Sequence, residues 1–261
     1  MEYTAKKAIL VVSFGTSYHQ TREKTIDQIE ADIQKAYPDR KIYRAWTSKM
    51  ILRKLKIRDG IHIDNVEEAM KAMHRDGVTD VIIQPTHVIN GIENDLMRED
   101  ALAFQDRFVR ITFGAPLLTS EQDSRQVIQV LTDAWGGLPK EEALVLMGHG
   151  TPHYANAIYA ALDYTFKDFG YKNIFMGTVE AYPSMDSLLK QVGDYHPTRI
   201  HLAPFMIVAG DHAQNDLAGD GEDSWKFQFE KAGYEVACHL KGLGEYEGIR
   251  RIFLRHIEEA Q

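Results

Sequence analysis

A chain of 261 residues, 44% hydrophobic and 26% charged, is long enough for one large domain or two small ones, each with a real core. Its net charge of −8 argues against nonspecific nucleic-acid binding, which needs clustered positive charge, yet leaves room for a local basic patch and an anionic small molecule. The single cysteine, Cys238, excludes an internal disulfide framework and any zinc site built from several cysteines, which makes the cytosol the default compartment.

The opening stretch MEYTAKKAILVVSFGTS carries basic and then apolar residues, but the run stops at Phe14. That is too short for a secretory signal and reads as a first buried strand, 8–14. Further strands are predicted over 41–46, 80–84 and 110–113, then 143–147, 173–178, 199–203 and 235–239. Helices are predicted over 20–36, 66–75 and 96–106, then 154–169, 185–193 and 223–231, with a closing helix over 245–260. Short apolar runs alternating with amphipathic segments are the mark of βαβ units, so the fold class is α/β with parallel sheets flanked by helices. No run approaches the roughly 18 apolar residues of a membrane helix.

The two halves echo each other. LVVSFGT (10–16) aligns with VLMGHGT (145–151), and QPTHVINGIENDL (84–96) with APFMIVAGDHAQNDL (203–217). Two similar lobes are therefore expected, 1–122 and 123–261, divided where the polar TSEQD (119–123) interrupts the pattern. The final helix is free to pack back on the N-terminal lobe.

Three possible metal ligands stand at predicted strand exits of the second half: His149 in LVLMGHGTPH, Glu180 in MGTVEAYP and His212 in LAPFMIVAGDHAQND. Exits of parallel strands open on one edge, so such residues can converge. Two imidazoles and a carboxylate suit a borderline divalent ion and leave coordination positions open. Taken singly, His149 reads equally well as a capping histidine and Glu180 as a solvent-facing acid. His212 is poorly explained by packing, and the adjacent Asp211 is a candidate to orient its ring. Asp216, Asp220, Glu222 and Asp223 either attract cations or form a solvated lead-in to a helix. His153 reads as exposed or as a supporting residue. In the first half, the alignment sets Phe14 against His149 and brings Glu93 close to His212 once a short insertion is allowed. Glu93 is then the candidate proton-handling carboxylate, and His87 a histidine of undecided role. A cleft between two lobes is a usual place for a ligand.

A basic patch, Lys49, Arg53, Lys54, Lys56 and Arg58 with Arg44 upstream, follows the second strand in TSKMILRKLKIRDGI. It reads as a helix that buries Met50, Ile51 and Leu55. Its charges are either a solvated face or partners for a carboxylate-bearing ligand. Arg53 and Lys54, with Ser13 and Thr16 of the first strand exit, are the candidate substrate contacts.

VVSFGTSYH, AWTSKMILRKLKIRDGI, HVINGIE, MGHG, VEAYP and above all VAGDHAQNDLAGDGEDSWK resemble the anaerobic cobaltochelatases of the CbiK type. The resemblance spans nearly the whole chain. It implies two α/β lobes of the class II chelatase fold, related to ferrochelatases, and insertion of Co²⁺ into sirohydrochlorin, or a precorrin-2-like tetrapyrrole, during cobalamin synthesis. By motif it assigns His149, Glu180 and His212 to the metal and Glu93 to the facing acid. Some members are exported and bind haem through a histidine near HVINGIE; His87 is present here without an export signal, so haem binding is not carried over. No ATP or other nucleotide is expected, since no GxxxxGK[ST] loop occurs. A cytoplasmic enzyme without membrane or nucleic-acid partners follows, compatible with a homo-oligomer. The alternatives are an iron or nickel chelatase acting on the same tetrapyrrole, a noncatalytic metal or tetrapyrrole carrier, and a zinc-type metallohydrolase using the same triad.

Overall fold

The computed structural model describes residues 6–261, so the first residues of the MEYTAKKAILVVSFGTS stretch, 1–5, lie outside the described part. The first unit contains β1 (Lys7–Ser13), α1 (His19–Lys24), α2 (Ile26–Ala36), β2 (Lys41–Trp46) and α3 (Lys49–Asp59). It continues through α4 (Val66–Arg75), β3 (Asp80–Pro85), α5 (Ile92–Leu102) and β4 (Arg110–Phe113) to Thr119. The second unit, Ser120–Gly248, contains α6 (Glu121–Trp135), β5 (Glu142–Gly148), α7 (Ala157–Asp168), β6 (Ile174–Thr178) and α8 (Met185–Tyr195). It ends with β7 (Arg199–Pro204), α9 (Trp225–Lys231), β8 (Glu235–Cys238) and the start of α10 (Glu247–Glu259). From Ile249 onward the chain belongs to the first unit. There Arg250 donates to Asp32 at 2.6 Å, the Tyr37 hydroxyl to the Leu254 carbonyl at 3.3 Å, and Arg110 to the Gln261 carbonyl at 2.7 Å.

Each unit holds a four-stranded, all-parallel sheet, in the orders β2-β1-β3-β4 and β6-β5-β7-β8. These are the same order, so two separate stretches of sequence produce the same topology. The sequence explains the arrangement. β1, KAILVVS, is buried from Ala8 onward because helices cover both faces of a central parallel strand. On one face Ala8, Leu10 and Val12 join Val81 and Ile83 of β3, Val66, Ala69, Met70 and Met73 of α4, and Met97 and Ala101 of α5. In the second unit Ala143, Val145, Met147, Ile200 and Leu202 meet Leu188, Val192, Leu217, Trp225 and Phe229 in the same way.

Three local features differ from the periodicity reading. The helix over 20–36 is broken at Thr25, whose hydroxyl bonds back to the Thr21 carbonyl at 2.6 Å while its φ of −125° leaves helical geometry. α5 starts at Ile92, because Gly91 acts as its N-cap, rather than at 96. The polar TSEQD segment is the cap of α6: Ser120 and Asp123 form a reciprocal capping box in front of the longest helix among the described residues. No described helix is long and apolar enough to cross a membrane.

Candidate metal centre

β5 ends at Gly148 and delivers His149 into a turn closed by Gly150, which has a φ of +87°. A Cβ on Gly150 would sit 2.9 Å from the Ala181 nitrogen and 3.0 Å from the Thr178 Cβ. Glycine is therefore required for both the backbone conformation and the close approach of the loop after β6. That loop is pinned at both ends. The Glu180 N–H donates to the His149 carbonyl at 2.9 Å, and the Thr178 N–H to the Pro183 carbonyl at 2.7 Å. β7 ends at Pro204, and the chain then reaches His212, which opens a helical segment whose residues Ala213–Leu217 form a π turn.

The three side chains converge. His149, Glu180 and His212 each offer one ligand atom, and these atoms lie within 4.8 Å of one another. Atoms bound at about 2.1 Å to one ion lie at most about 4.2 Å apart, so a contraction of a few tenths of an ångström closes the set. The two imidazoles meet edge to face, with centroids 4.6 Å apart and planes at 86°. His149 Nδ1 lies 2.8 Å from the Gly150 carbonyl and 3.8 Å from Glu180 Oε2. A carbonyl only accepts, so Nδ1 is the donor, and in the neutral ring Nε2 carries the lone pair. His212 is fixed likewise: its Nδ1 meets Asp216 Oδ2 at 2.6 Å, which leaves Nε2 for a metal. This carboxylate lies four residues on, whereas the sequence reading looked to the adjacent Asp211. Both rings are half-buried and Glu180 is exposed, so the ion would be held on an open face.

The other sequence candidates fall elsewhere. Glu93 is exposed in the first turn of α5, in the first unit. Ser13 and Thr16 are buried beneath the exit of β1: Ser13 Oγ accepts from the Thr86 hydroxyl at 2.8 Å, and Thr16 Oγ1 from the Tyr18 N–H at 3.3 Å. Arg53 and Lys54 are exposed on α3, where they share a shallow groove with Lys49, Met50, Ile57 and Arg58. Only Ile51 and Leu55 of this helix are buried; Met50, expected inside, is 72% exposed and Ile57 73%. The i, i+7 spacing of Met50 and Ile57 sets both on the outer face with Arg53 and Lys54 between them. His153 accepts from the Ala155 N–H at 3.2 Å and so caps a short turn. His87 is buried, neither ring nitrogen has a hydrogen-bond partner, and burial pushes its pKa down to about 4. A second grouping of possible ligands, His62, Asp64 and Glu68, lies at the N-terminus of α4, where Glu68 completes the capping box of Asn65.

The backbone shows which residues of the two units correspond. The bond from Glu180 to His149 is matched by one from Ser48 to the Phe14 carbonyl at 3.2 Å, so Phe14 and Ser48 occupy the places of the first two candidate ligands. Glu93 and His212 stand at equal distances beyond Pro85 and Pro204, so no insertion precedes His212; the extra residues follow it.

Two units with the same parallel-sheet order, one carrying a candidate His–Glu–His centre at its sheet edge, have the class II chelatase fold. This fold is shared with SirB of Bacillus subtilis, solved with Fe³⁺, at a TM-score of 0.65 and 15% identity over 98% of this chain and 95% of that one. Over residues 7–261 the chain matches, and belongs to, the cobalt chelatase (CbiK) family. It is 45% identical to the sirohydrochlorin cobaltochelatase of Salmonella typhimurium, over 98% of this chain and 96% of the relative. It is also 32% identical to the sirohydrochlorin cobaltochelatase CbiKC of Nitratidesulfovibrio vulgaris, over 98% of this chain and 90% of the relative.

Proposed function

We propose that the protein inserts Co²⁺ into sirohydrochlorin, releasing two protons, as an ATP-independent step of the anaerobic route to cobalamin. The observation that carries this reading is the convergence of His149, Glu180 and His212 in a chain 45% identical to a sirohydrochlorin cobaltochelatase. Insertion requires that the ion shed its water, that two pyrrole N–H protons leave, and that the protein ligands then let go. Two neutral nitrogens and one carboxylate replace part of the hydration shell without enclosing the ion. Each histidine has only Nε2 available, so that atom holds either the metal or a proton. As Co²⁺ passes to the macrocycle, the freed His149 Nε2 can accept a pyrrole proton, which keeps the charge of the site balanced. His149 is suited to release first, because its Nδ1–H is held by a neutral carbonyl whereas that of His212 is held by a carboxylate. Glu93 is assigned to proton movement. The substrate's carboxylates are assigned to Arg53 and Lys54, with the exposed Met50 and Ile57 offering apolar surface beside them.

The test is an anaerobic absorbance assay of sirohydrochlorin with Co²⁺, Fe²⁺ or Ni²⁺ and catalytic amounts of protein. Faster insertion of Co²⁺ than the spontaneous rate supports the reading. Binding of the tetrapyrrole without acceleration would make the protein a carrier, and acceleration confined to Fe²⁺ or Ni²⁺ would reassign the metal. Affinity order alone does not choose among these ions, since it rises from iron through cobalt to nickel for most such sites.

A further inference from the structure

We infer that Asp216 is a positioning residue for the metal, placed beneath His212 by a two-residue insertion that the first unit lacks; this rests on the cobaltochelatase reading. The two units run in step up to this point. Leu117 donates to the His87 carbonyl at 2.9 Å and Leu243 to the Met206 carbonyl at 2.7 Å. The next bonds, Leu118 to Val88 at 2.9 Å and Gly244 to Ile207 at 3.0 Å, also correspond. Gly91 then matches Gly210, and Glu93 matches His212. Beyond them the sequences part. Glu93 is followed by Asn94-Asp95-Leu96, whereas His212 is followed by Ala213-Gln214 and only then Asn215-Asp216-Leu217.

The extra length is taken up in the π turn, where the Ala218 N–H reaches back five residues to the Ala213 carbonyl at 3.2 Å. The shift changes which residues share a face. An aspartate at i+2, as Asp95 is to Glu93, points to the other side of a helix; one at i+4, as Asp216 is to His212, lies on the same side. The apolar residue moves with it: Leu217 is fully buried while its counterpart Leu96 is 51% exposed. Leu217 anchors the turn in the core, and the preceding residue is thereby brought to His212, with Asp216 Oδ2 2.6 Å from Nδ1. The carboxylate fixes the Nδ1–H tautomer, holds the ring plane and strengthens Nε2 as a donor to the ion. Asp216 acts through His212.

The experiment uses the full chain under anaerobic conditions, with Asp216→Ala, Asp216→Asn and, as a charge control in the same acidic run, Glu222→Ala. Co²⁺ affinity is read from the visible absorption of the bound ion without tetrapyrrole, and the KM for each substrate from the insertion assay. Asp216→Ala should weaken Co²⁺ binding and raise the Co²⁺ KM about 10- to 100-fold, leaving the sirohydrochlorin KM and the Tm unchanged. Asp216→Asn, which keeps an acceptor oxygen, should recover part of the loss, and Glu222→Ala should match the wild type. The inference is overturned if Asp216→Ala binds Co²⁺ as the wild type does, if Asn restores nothing, or if Glu222→Ala causes the same loss. A wild type that binds Co²⁺ but metallates nothing would remove the functional reading, while the Co²⁺ titration would still decide the role of Asp216.

Discussion

The backbone N–H of Glu180 donates to the carbonyl of His149 at 2.9 Å, joining two residues of the candidate metal triad through main chain alone. The same bond between Ser48 and Phe14 in the first unit holds two residues with no ligand chemistry. The sheet edge thus supplies the geometry in both units, and in one of them the side chains that decorate it are a set that could hold a metal ion.

Gly150→Ala tests that geometry. An alanine must adopt a φ of +87° and set its Cβ 2.9 Å from the Ala181 nitrogen, so the loop bearing Glu180 has to move. A cost of roughly 1–3 kcal/mol is expected. Thermal unfolding should show a lower Tm, and Co²⁺ titration a weaker site. An unchanged affinity would mean that Glu180 does not depend on this contact.

Glu180→Gln keeps the shape of the side chain and removes its charge. Loss of the anionic ligand should weaken Co²⁺ binding at least about tenfold while the fold is retained, because Glu180 is exposed. Equilibrium dialysis against Co²⁺ measures this directly, and wild-type affinity would take Glu180 out of the site.

The α3 cations should act on the other substrate. Arg53→Ala combined with Lys54→Ala should raise the KM for sirohydrochlorin about three- to tenfold without altering Co²⁺ affinity, the scale expected of exposed charged contacts. The wild-type KM should also rise with ionic strength, and less so in the double variant. An unchanged KM would return α3 to a solvated face.

His87 predicts a pH dependence of stability. Its folded pKa, about 4, lies below the ordinary 6.5, so as pH falls through this window the unfolded chain takes up a proton that the folded chain refuses. Stability contributed by this group is present above pH 6.5 and declines toward pH 4, by about 3 kcal/mol in all. Met206 occupies the corresponding backbone position in the second unit, so His87→Met is the natural replacement. It should raise the Tm at pH 7, by removing two unpartnered buried nitrogens, and raise it further at pH 5. Denaturant titrations at both pH values check the sign; a variant that loses the same stability on acidification as the wild type would clear His87.

Much of this was legible in the sequence, for identifiable reasons. The strands announced themselves because buried parallel strands are continuous apolar runs, as in KAILVVS, and candidate ligands at their exits could be singled out by position. His149, Glu180 and His212 needed no pair distances to be singled out. What escaped depended on contacts that a periodic pattern does not encode. The break at Thr25 comes from one hydroxyl bonding to the previous turn. The exposure of Met50 follows from which face of α3 the core takes, and an apolar residue beside cations looked like a core position. Asp216 was read as one of several acids, because its pairing with His212 depends on a π turn that has no sequence signature of its own.

The most direct test of the central claim is the multiple-turnover rate of Co²⁺ insertion into sirohydrochlorin by the wild type and by His212→Ala, measured anaerobically at equal folded concentration. A wild-type rate well above the spontaneous reaction, with most of it lost in the variant, is the predicted result. Full activity in His212→Ala would contradict the account.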